Sequence, residues 1–221
     1  MNSKHDKYIP ALSSNWLTPF FDLFVRLTIR ELTIKRRLIE QARIETGRVL
    51  DIGCGTGTLL ILIKTAHPSA DVVGLDGDPK VLSIARAKVS HLGLDVKLEQ
   101  GMAFALPHSD GAFDHVLSSL MFHHLTTADK RRTLSEAFRV LPPGGELHIA
   151  DFGKPANFLM YLISLVMRRF ERTRDIIAGR LPDMMREAGF HAVGETGRFM
   201  TLFGTLSLYS ARRPAACSEE R

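Results

Sequence analysis

Cysteine is nearly missing from this 221-residue chain, which holds only Cys54 and Cys217. Two distant thiols make no disulfide framework, and no Cys-x-x-Cys pair offers a zinc site. Long apolar runs are missing too. The longest, residues 158–167 (FLMYLISLVM), falls far short of the roughly 18–20 residues that span a bilayer. The opening MNSKHDKYIP has no apolar stretch of the kind a signal peptide needs, so a cytoplasmic protein is expected. Internal repeats and low-complexity tracts are also lacking. With 45% apolar and 24% charged residues the composition is that of a globular protein, which excludes a disordered or collagen-like chain. A chain of this length buries most of its surface without a disulfide or metal staple.

The net charge of +5 is unevenly placed. Residues 1–50 carry a net +4, residues 51–150 a net −2 and residues 151–221 a net +3. A uniformly basic nucleic-acid surface does not produce an acidic middle, although the two flanks could together form a basic patch.

Residues 16–44 read as helical. Trp16, Phe20, Phe21, Phe24, Leu27, Leu32 and Ile34 recur at loosely helical spacing, Thr18 and Pro19 suit a start, and a break is expected near Leu32–Thr33. From Arg48 the texture alternates. Strands are predicted over 49–52, 71–75, 95–99, 113–118 and 146–150, and helices over 58–66, 78–92 and 127–141. This β-α-β-α order implies a parallel sheet covered on both faces. A long helical stretch follows over 156–180, then a short helix over 181–188. Two strands over 191–199 and 201–212, turning at Met200–Thr201, predict an antiparallel pair at a sheet edge.

The strongest local signal is Asp51-Ile52-Gly53-Cys54-Gly55-Thr56-Gly57, between a strand and a helix. Glycines there let backbone approach a ligand and adopt positive φ, and the helix start offers unpaired N–H groups. Thr58 stands where the dinucleotide fingerprint needs glycine, and no Gly-Lys-Ser/Thr follows for a P-loop. Asp76 ends the second strand 25 residues after Asp51, where a carboxylate can accept both hydroxyls of a ribose. Asp78-Pro79 supplies the cap of the next helix. Residues 118–125 (SSLMFHHL) follow the fourth strand, on the edge where open α/β sheets bind ligands. His123 or His124 there suits a general base or a substrate-orienting group. No third ligand accompanies the two histidines, so no metal is predicted.

The D-x-G-x-G-x-G turn, the GMAFALP stretch at 101–107, the GAFDHV stretch at 111–116, the His-His-Leu loop and the LPPGGEL turn at 141–147 together resemble class I S-adenosylmethionine-dependent methyltransferases. Within that superfamily they resemble the small-molecule type 11, UbiE-like branch. The resemblance is strong over about residues 45–152. It implies a three-layer, doubly wound, Rossmann-like α/β sheet of seven strands, mostly parallel, with an antiparallel C-terminal strand. It implies S-adenosyl-L-methionine as cofactor, held by Asp51, Gly53, Cys54, Gly55, Gly57, Asp76, Gly77, Met102, Ala103, Ser118 and Ser119. Met102 departs from the family, where Asp commonly binds the adenine amino group. Adenine would rest instead on the Met102 sulfur and the Ala103 N–H.

The implied organisation is an N-terminal helical lid over residues 1–46, the cofactor-binding domain over 47–213 with a helical lid insertion at 154–180, and a tail at 214–221. Trp16, Phe20, Phe24, Phe122 and Tyr161 are the expected lid and substrate contacts, excluding water and selecting a hydrophobic acceptor. Arg26, Arg30, Lys35, Arg36 and Arg37 in one flank, and Arg168, Arg169, Arg172 and Arg174 in the other, lie beside apolar stretches. That pairing fits a solvated helix face, the favoured reading, and alternatively a peripheral contact with an anionic membrane. The expected activity is methyl transfer to a small hydrophobic acceptor: a quinol, phenol, amine or lipid-like molecule. A nucleic-acid methyltransferase is the alternative enzyme, but no Asn/Asp-Pro-Pro-Tyr-type motif and no RNA-binding module is present. A catalytically inactive S-adenosylmethionine-binding partner protein is a third reading, supported only by Met102.

Overall fold

The computed structural model describes residues 31–167 and 174–215. Trp16, Phe20, Phe24, the helix start at Thr18–Pro19, Arg26 and Arg30, and Arg168, Arg169, Arg172 and Cys217, lie outside the described residues.

The first element is helix α1 (Glu31–Ala42), which buries Ile34, Lys35, Leu38, Ile39 and Ala42 on one face. Leu32 and Thr33 fall on its exposed side in the first turn, and the residues before Glu31, on the far side of the break expected near Leu32–Thr33, lie outside the described residues. The alternating region follows as β1 (Arg48–Ile52), α2 (Thr58–Ala66), β2 (Asp71–Asp76), α3 (Pro79–His91), β3 (Lys97–Gln100), β4 (His115–Ser119), α4 (Thr127–Val140) and β5 (Glu146–Phe152). Strand β5 runs two residues beyond its expected end and so carries Asp151 inside the sheet.

The seven strands lie in the order β3-β2-β1-β4-β5-β7-β6. Strands β1 to β5 pair in parallel, and β7 pairs antiparallel with both β5 and β6. The chain moves outward from β1 to β3, then returns to lay β4 on the other side of β1. That reversal puts the intervening helices on opposite faces and opens a crevice at the carboxyl ends of β1 and β4. In β1, Val49, Leu50 and Ile52 are fully buried, as a strand covered on both faces requires. Asp51 is the exception in that run.

After β5 come α5 (Phe158–Met167), α6 (Arg174–Ile177) and α7 (Leu181–Glu187). Of the long helix expected over 156–180, residues 158–167 and 174–177 are helical and 168–173 lie outside the described residues; beyond Ile177, Gly179 turns the chain at φ +73°. Strands β6 (His191–Thr201) and β7 (Gly204–Arg212) form the expected antiparallel pair. Their turn is Leu202–Phe203, not Met200–Thr201. The Thr201 hydroxyl donates to the Gly204 carbonyl at 2.8 Å and accepts the Phe203 N–H at 3.2 Å, while Gly204 supplies φ +126°.

Candidate active site

The glycine turn is built to be bare. Gly53, Gly55 and Gly57 all have left-handed φ, at +73°, +54° and +79°. The N–H groups of Gly53 and Cys54 both donate to the Leu75 carbonyl, at 2.8 and 3.1 Å, which pins the turn to β2. A Cβ on Gly57 would stand 3.1 Å from that of Ala85, so glycine allows α3 to pack close. A Cβ on Gly53 would collide with the Met121 side chain. One on Gly55 would meet nothing within 4 Å, so space opens there. Cys54 lends only its backbone to this face. Its side chain is buried, with Sγ 3.1 Å from where a Gly74 Cβ would sit, and burial pushes its thiol pKa up.

Asp51 is 1% exposed, and neither carboxylate oxygen has a hydrogen-bond partner. Burial pushes its pKa up to about 7, with the Lys35 cation pulling it down and the Asp76 charge adding to the rise. A buried, unpartnered carboxylate is unfavourable unless a cation or donor completes it. The sequence singled out Asp51 but missed Lys35 as its neighbour in charge. Lys35 is buried on α1 and ion-paired with Glu31 at 2.5 Å. Only its placement inside the α1 apolar stripe could have marked it.

Asp76 accepts the Gly55 N–H at 2.8 Å and the Asp78 N–H at 2.9 Å. Burial raises its pKa, and the amides of Asp78, Gly55 and Gly77 pull it back. Asp78 caps α3 by accepting the Lys80 N–H at 2.8 Å, so the two acids divide the work as their positions imply. The Gly101 N–H donates to the Asp76 carbonyl at 3.0 Å and draws the next loop alongside. Half-buried Met102 and Ala103 sit in that loop, which the Ala105 N–H closes on the Met102 carbonyl at 3.0 Å. Asp51, the glycine turn, Asp76, Gly77 and the Met102 loop therefore meet at one edge of the sheet.

The two serines differ. The Ser118 hydroxyl is buried and donates to the Ile52 carbonyl at 2.9 Å, fastening β4 to β1. The Ser119 hydroxyl is buried without a partner. Phe122, expected among the substrate contacts, is 1% exposed and packs in the hydrophobic core, so it presents no face to a substrate. The same single helical turn, Phe122–His124, sets the histidines outward.

His123 meets Asp151 across 28 residues. Its Nδ1 lies 2.9 Å from Oδ1, and its backbone N–H donates to Oδ2 at 3.3 Å. Asp151 is fully buried and also accepts the Phe152 N–H at 2.7 Å. Burial alone would raise its pKa, but the charge and hydrogen bond of His123, the amide and His124 together hold it below the usual range. An ionised carboxylate on Nδ1 keeps the proton there and leaves Nε2 as acceptor. The His123 ring stands edge-on to Phe152, centroids 5.1 Å apart, and His124 lies 4.0 Å away ring to ring. From its place at the end of β5 alone, Asp151 could equally be an acid that reaches the substrate or an ordinary strand-end acid. The signal for its pairing was available: β5 neighbours β4, so its carboxyl end must face the loop that carries the histidines. Tyr161 is exposed on α5 beside Phe158, Leu159, Leu162 and Leu165, an apolar face that borders a cavity of about 460 Å³.

Residues 49–145 match the family model described as a methyltransferase domain. A demethylmenaquinone methyltransferase of Thermus thermophilus is 37% identical over 166 residues, covering 74% of each chain. A ubiquinone/menaquinone biosynthesis C-methyltransferase UbiE of Marinomonas sp. is 34% identical over 130 residues, 57% of this chain and 51% of that one. Among solved structures, the complex of the Haloferax volcanii Trm112 methyltransferase activator with a putative methyltransferase matches at TM-score 0.70 and 23% identity, covering 90% of this chain and 96% of that one. That structural likeness concerns the fold alone.

Proposed function

Because this chain belongs to the class I S-adenosylmethionine-dependent methyltransferases, in their UbiE-like branch, we propose that it methylates a small hydrophobic acceptor of the hydroxylated aromatic, quinol class. The observation that carries the acceptor class is the His123–Asp151 pair, 2.9 Å apart at the carboxyl ends of β4 and β5.

The residues present fit the cofactor. Asp51, buried and unpartnered, would receive the ammonium group, and Asp76 the ribose hydroxyls. Lys35 offers a cation for the carboxylate, the turn at Gly53, Gly55 and Gly57 admits the chain closely, and Met102 and Ala103 would flank the base. When bound, S-adenosylmethionine supplies an electrophilic methyl group on a sulfonium. The protein then has to align an acceptor nucleophile, exclude water and remove one proton. His123 Nε2 takes that proton from a phenolic hydroxyl, which enriches the ring in electron density. Asp151 fixes the tautomer and stabilises the imidazolium that forms. A positioned base of this kind contributes about 10²–10⁴-fold in rate.

The exposed apolar face of α5, from Phe158 to Leu165, supports a hydrophobic acceptor. With exposed Arg174 beyond it, that face also supports contact with an anionic membrane surface, since no helix among the described residues is long and apolar enough to cross one. The test is turnover with a panel of quinols, phenols, amines and lipids, with His123→Ala alongside. Methylation of a hydroxylated aromatic, lost in the variant with cofactor affinity kept, is expected. Methylation of amines or nucleic acid alone, or equal turnover by the variant, would overturn the reading.

A further inference from the structure

The opposite edge of the sheet carries a cluster that the methyl-transfer chemistry does not use. His115 opens β4 and Glu146 opens β5, and the two are register partners in a parallel pair. His148 lies two residues beyond Glu146. Register partners in parallel strands, and residues two apart on one strand, project to the same face. All three side chains therefore share a face, and one ligand atom from each lies within 4.8 Å of the others.

Two of the three side chains, His148 and Glu146, are held from outside the cluster by neighbours. His148 Nε2 lies 3.0 Å from Glu146 Oε2. The other His148 nitrogen meets Gln41 Nε2 of α1 at 3.2 Å, and that amide also donates to the Tyr209 carbonyl at 3.1 Å. The remaining Glu146 oxygen is ion-paired with Arg212 of β7. His115 Nδ1 is buried with no partner at all. A cavity of about 780 Å³ reaches His148 and Glu146 between α1 and the β6–β7 pair, so water has access from one side.

We propose that His115, Glu146 and His148 form a binding site for a divalent transition metal, with zinc the best match. Two imidazoles and one carboxylate are the donor set of three-ligand zinc sites, with water as the fourth ligand. Calcium or magnesium would call for more oxygen donors. Bonds of roughly 2.0–2.2 Å put tetrahedral ligand atoms within about 3.6 Å of each other, so the present spread closes by side-chain rotation. Gln41 and Arg212 then act as outer supports that orient the ligands. The Arg212 charge opposes the metal and limits affinity. The four residue steps of β4 from His115 to Ser119 set this site roughly 13 Å from the methyl-transfer edge. Bound metal would thus tie β4, β5 and α1 together without entering the reaction.

Calorimetric titration of the full chain with Zn²⁺, and visible spectroscopy with Co²⁺ as a coloured probe, test the site. One equivalent should bind and give ligand-field bands of a four-coordinate centre. At a hundredfold excess over Kd, Tm should rise by about 5–10 °C. His115→Ala, whose side chain is only half-buried, and Glu146→Gln should each weaken binding by about 100-fold or more, with folding checked by circular dichroism. His148 is almost wholly buried, so His148→Ala serves only if its spectrum is native. Absence of saturable binding by the wild-type protein would overturn the proposal. So would a full equivalent retained by folded His115→Ala and Glu146→Gln.

Discussion

Replacing Asp51 with Asn measures what its buried charge costs and what it is for. Its pKa lies at about 7 against an ordinary 3.8, a rise of about three units at about 1.4 kcal/mol each. The ionised form therefore destabilises the cofactor-free fold by about 4 kcal/mol. Because the folded value is the raised one, the Asp51 contribution to stability is most favourable below pH 4. That contribution is lost progressively as the pH climbs from about 4 to 7 and changes little above. Asn removes the charge but leaves an unpartnered amide, at a cost of about 1–3 kcal/mol. At pH 8 the variant should be more stable by roughly 1–3 kcal/mol, which for a chain of this size is a Tm rise of roughly 2–12 °C. At pH 5, where wild-type Asp51 is already protonated, the gain should shrink toward zero. Affinity for S-adenosylhomocysteine at pH 8 should move the other way. Loss of a charge-assisted bond worth about 1.5–3 kcal/mol weakens it by about 10–100-fold. Scanning calorimetry across pH 5–8 and titration calorimetry at pH 8 give both quantities. A Tm difference that is equal at pH 5 and pH 8, or an unchanged affinity, would refute the assignment.

Asp151→Asn should lower kcat by about 10²–10⁴-fold while leaving cofactor affinity within a few-fold, because it disturbs only the tautomer and charge of His123; stopped-time product assays and titration calorimetry separate the two. Since the folded pKa of Asp151 is held below its usual range, its contribution to stability should be present at neutral pH and lost as pH falls below about 4, visible in acid unfolding of wild type but not of the Asn variant. Gly57→Ala meets a left-handed φ of +79° and the Ala85 methyl at 3.1 Å, so it should cost about 1–3 kcal/mol, read as a lower urea midpoint with unchanged slope. Co-sedimentation with anionic vesicles should occur at low salt, fall at high salt and drop in Phe158→Ser/Leu162→Ser; equal recovery with and without vesicles at low salt would remove the membrane contact.

The sheet was legible because its strands are short apolar runs punctuated by glycine, proline and acids, and the order of those runs dictates a parallel topology. The cofactor edge was legible for a related reason. Asp51, Asp76 and the three glycines sit at strand ends, and strand ends converge. What escaped the sequence were pairings between elements distant along the chain. Asp151 finds His123 through strand adjacency, and Lys35 approaches Asp51 because α1 folds back over the sheet. Phe122 was misplaced for the opposite reason. Its neighbours face the crevice, but one tight helical turn sends it into the core. The helical pattern expected up to residue 180 gives way after Ile177, where Gly179 adopts a positive φ.

The position of β7 has a consequence for assembly. The free edge of β5 is closed by β7, which comes after β6 in the chain yet lies inside it in the sheet. On a ribosome, the parallel half through β5 is therefore synthesised with an open row of backbone donors and acceptors. That row stays open for the some fifty residues that separate β5 from β7. An exposed strand edge of this kind is a template for intermolecular pairing. Slow translation through β6, or damage to the Leu202–Phe203 turn that reverses the chain into β7, should then appear first as aggregation of nascent protein, before any defect in the finished enzyme.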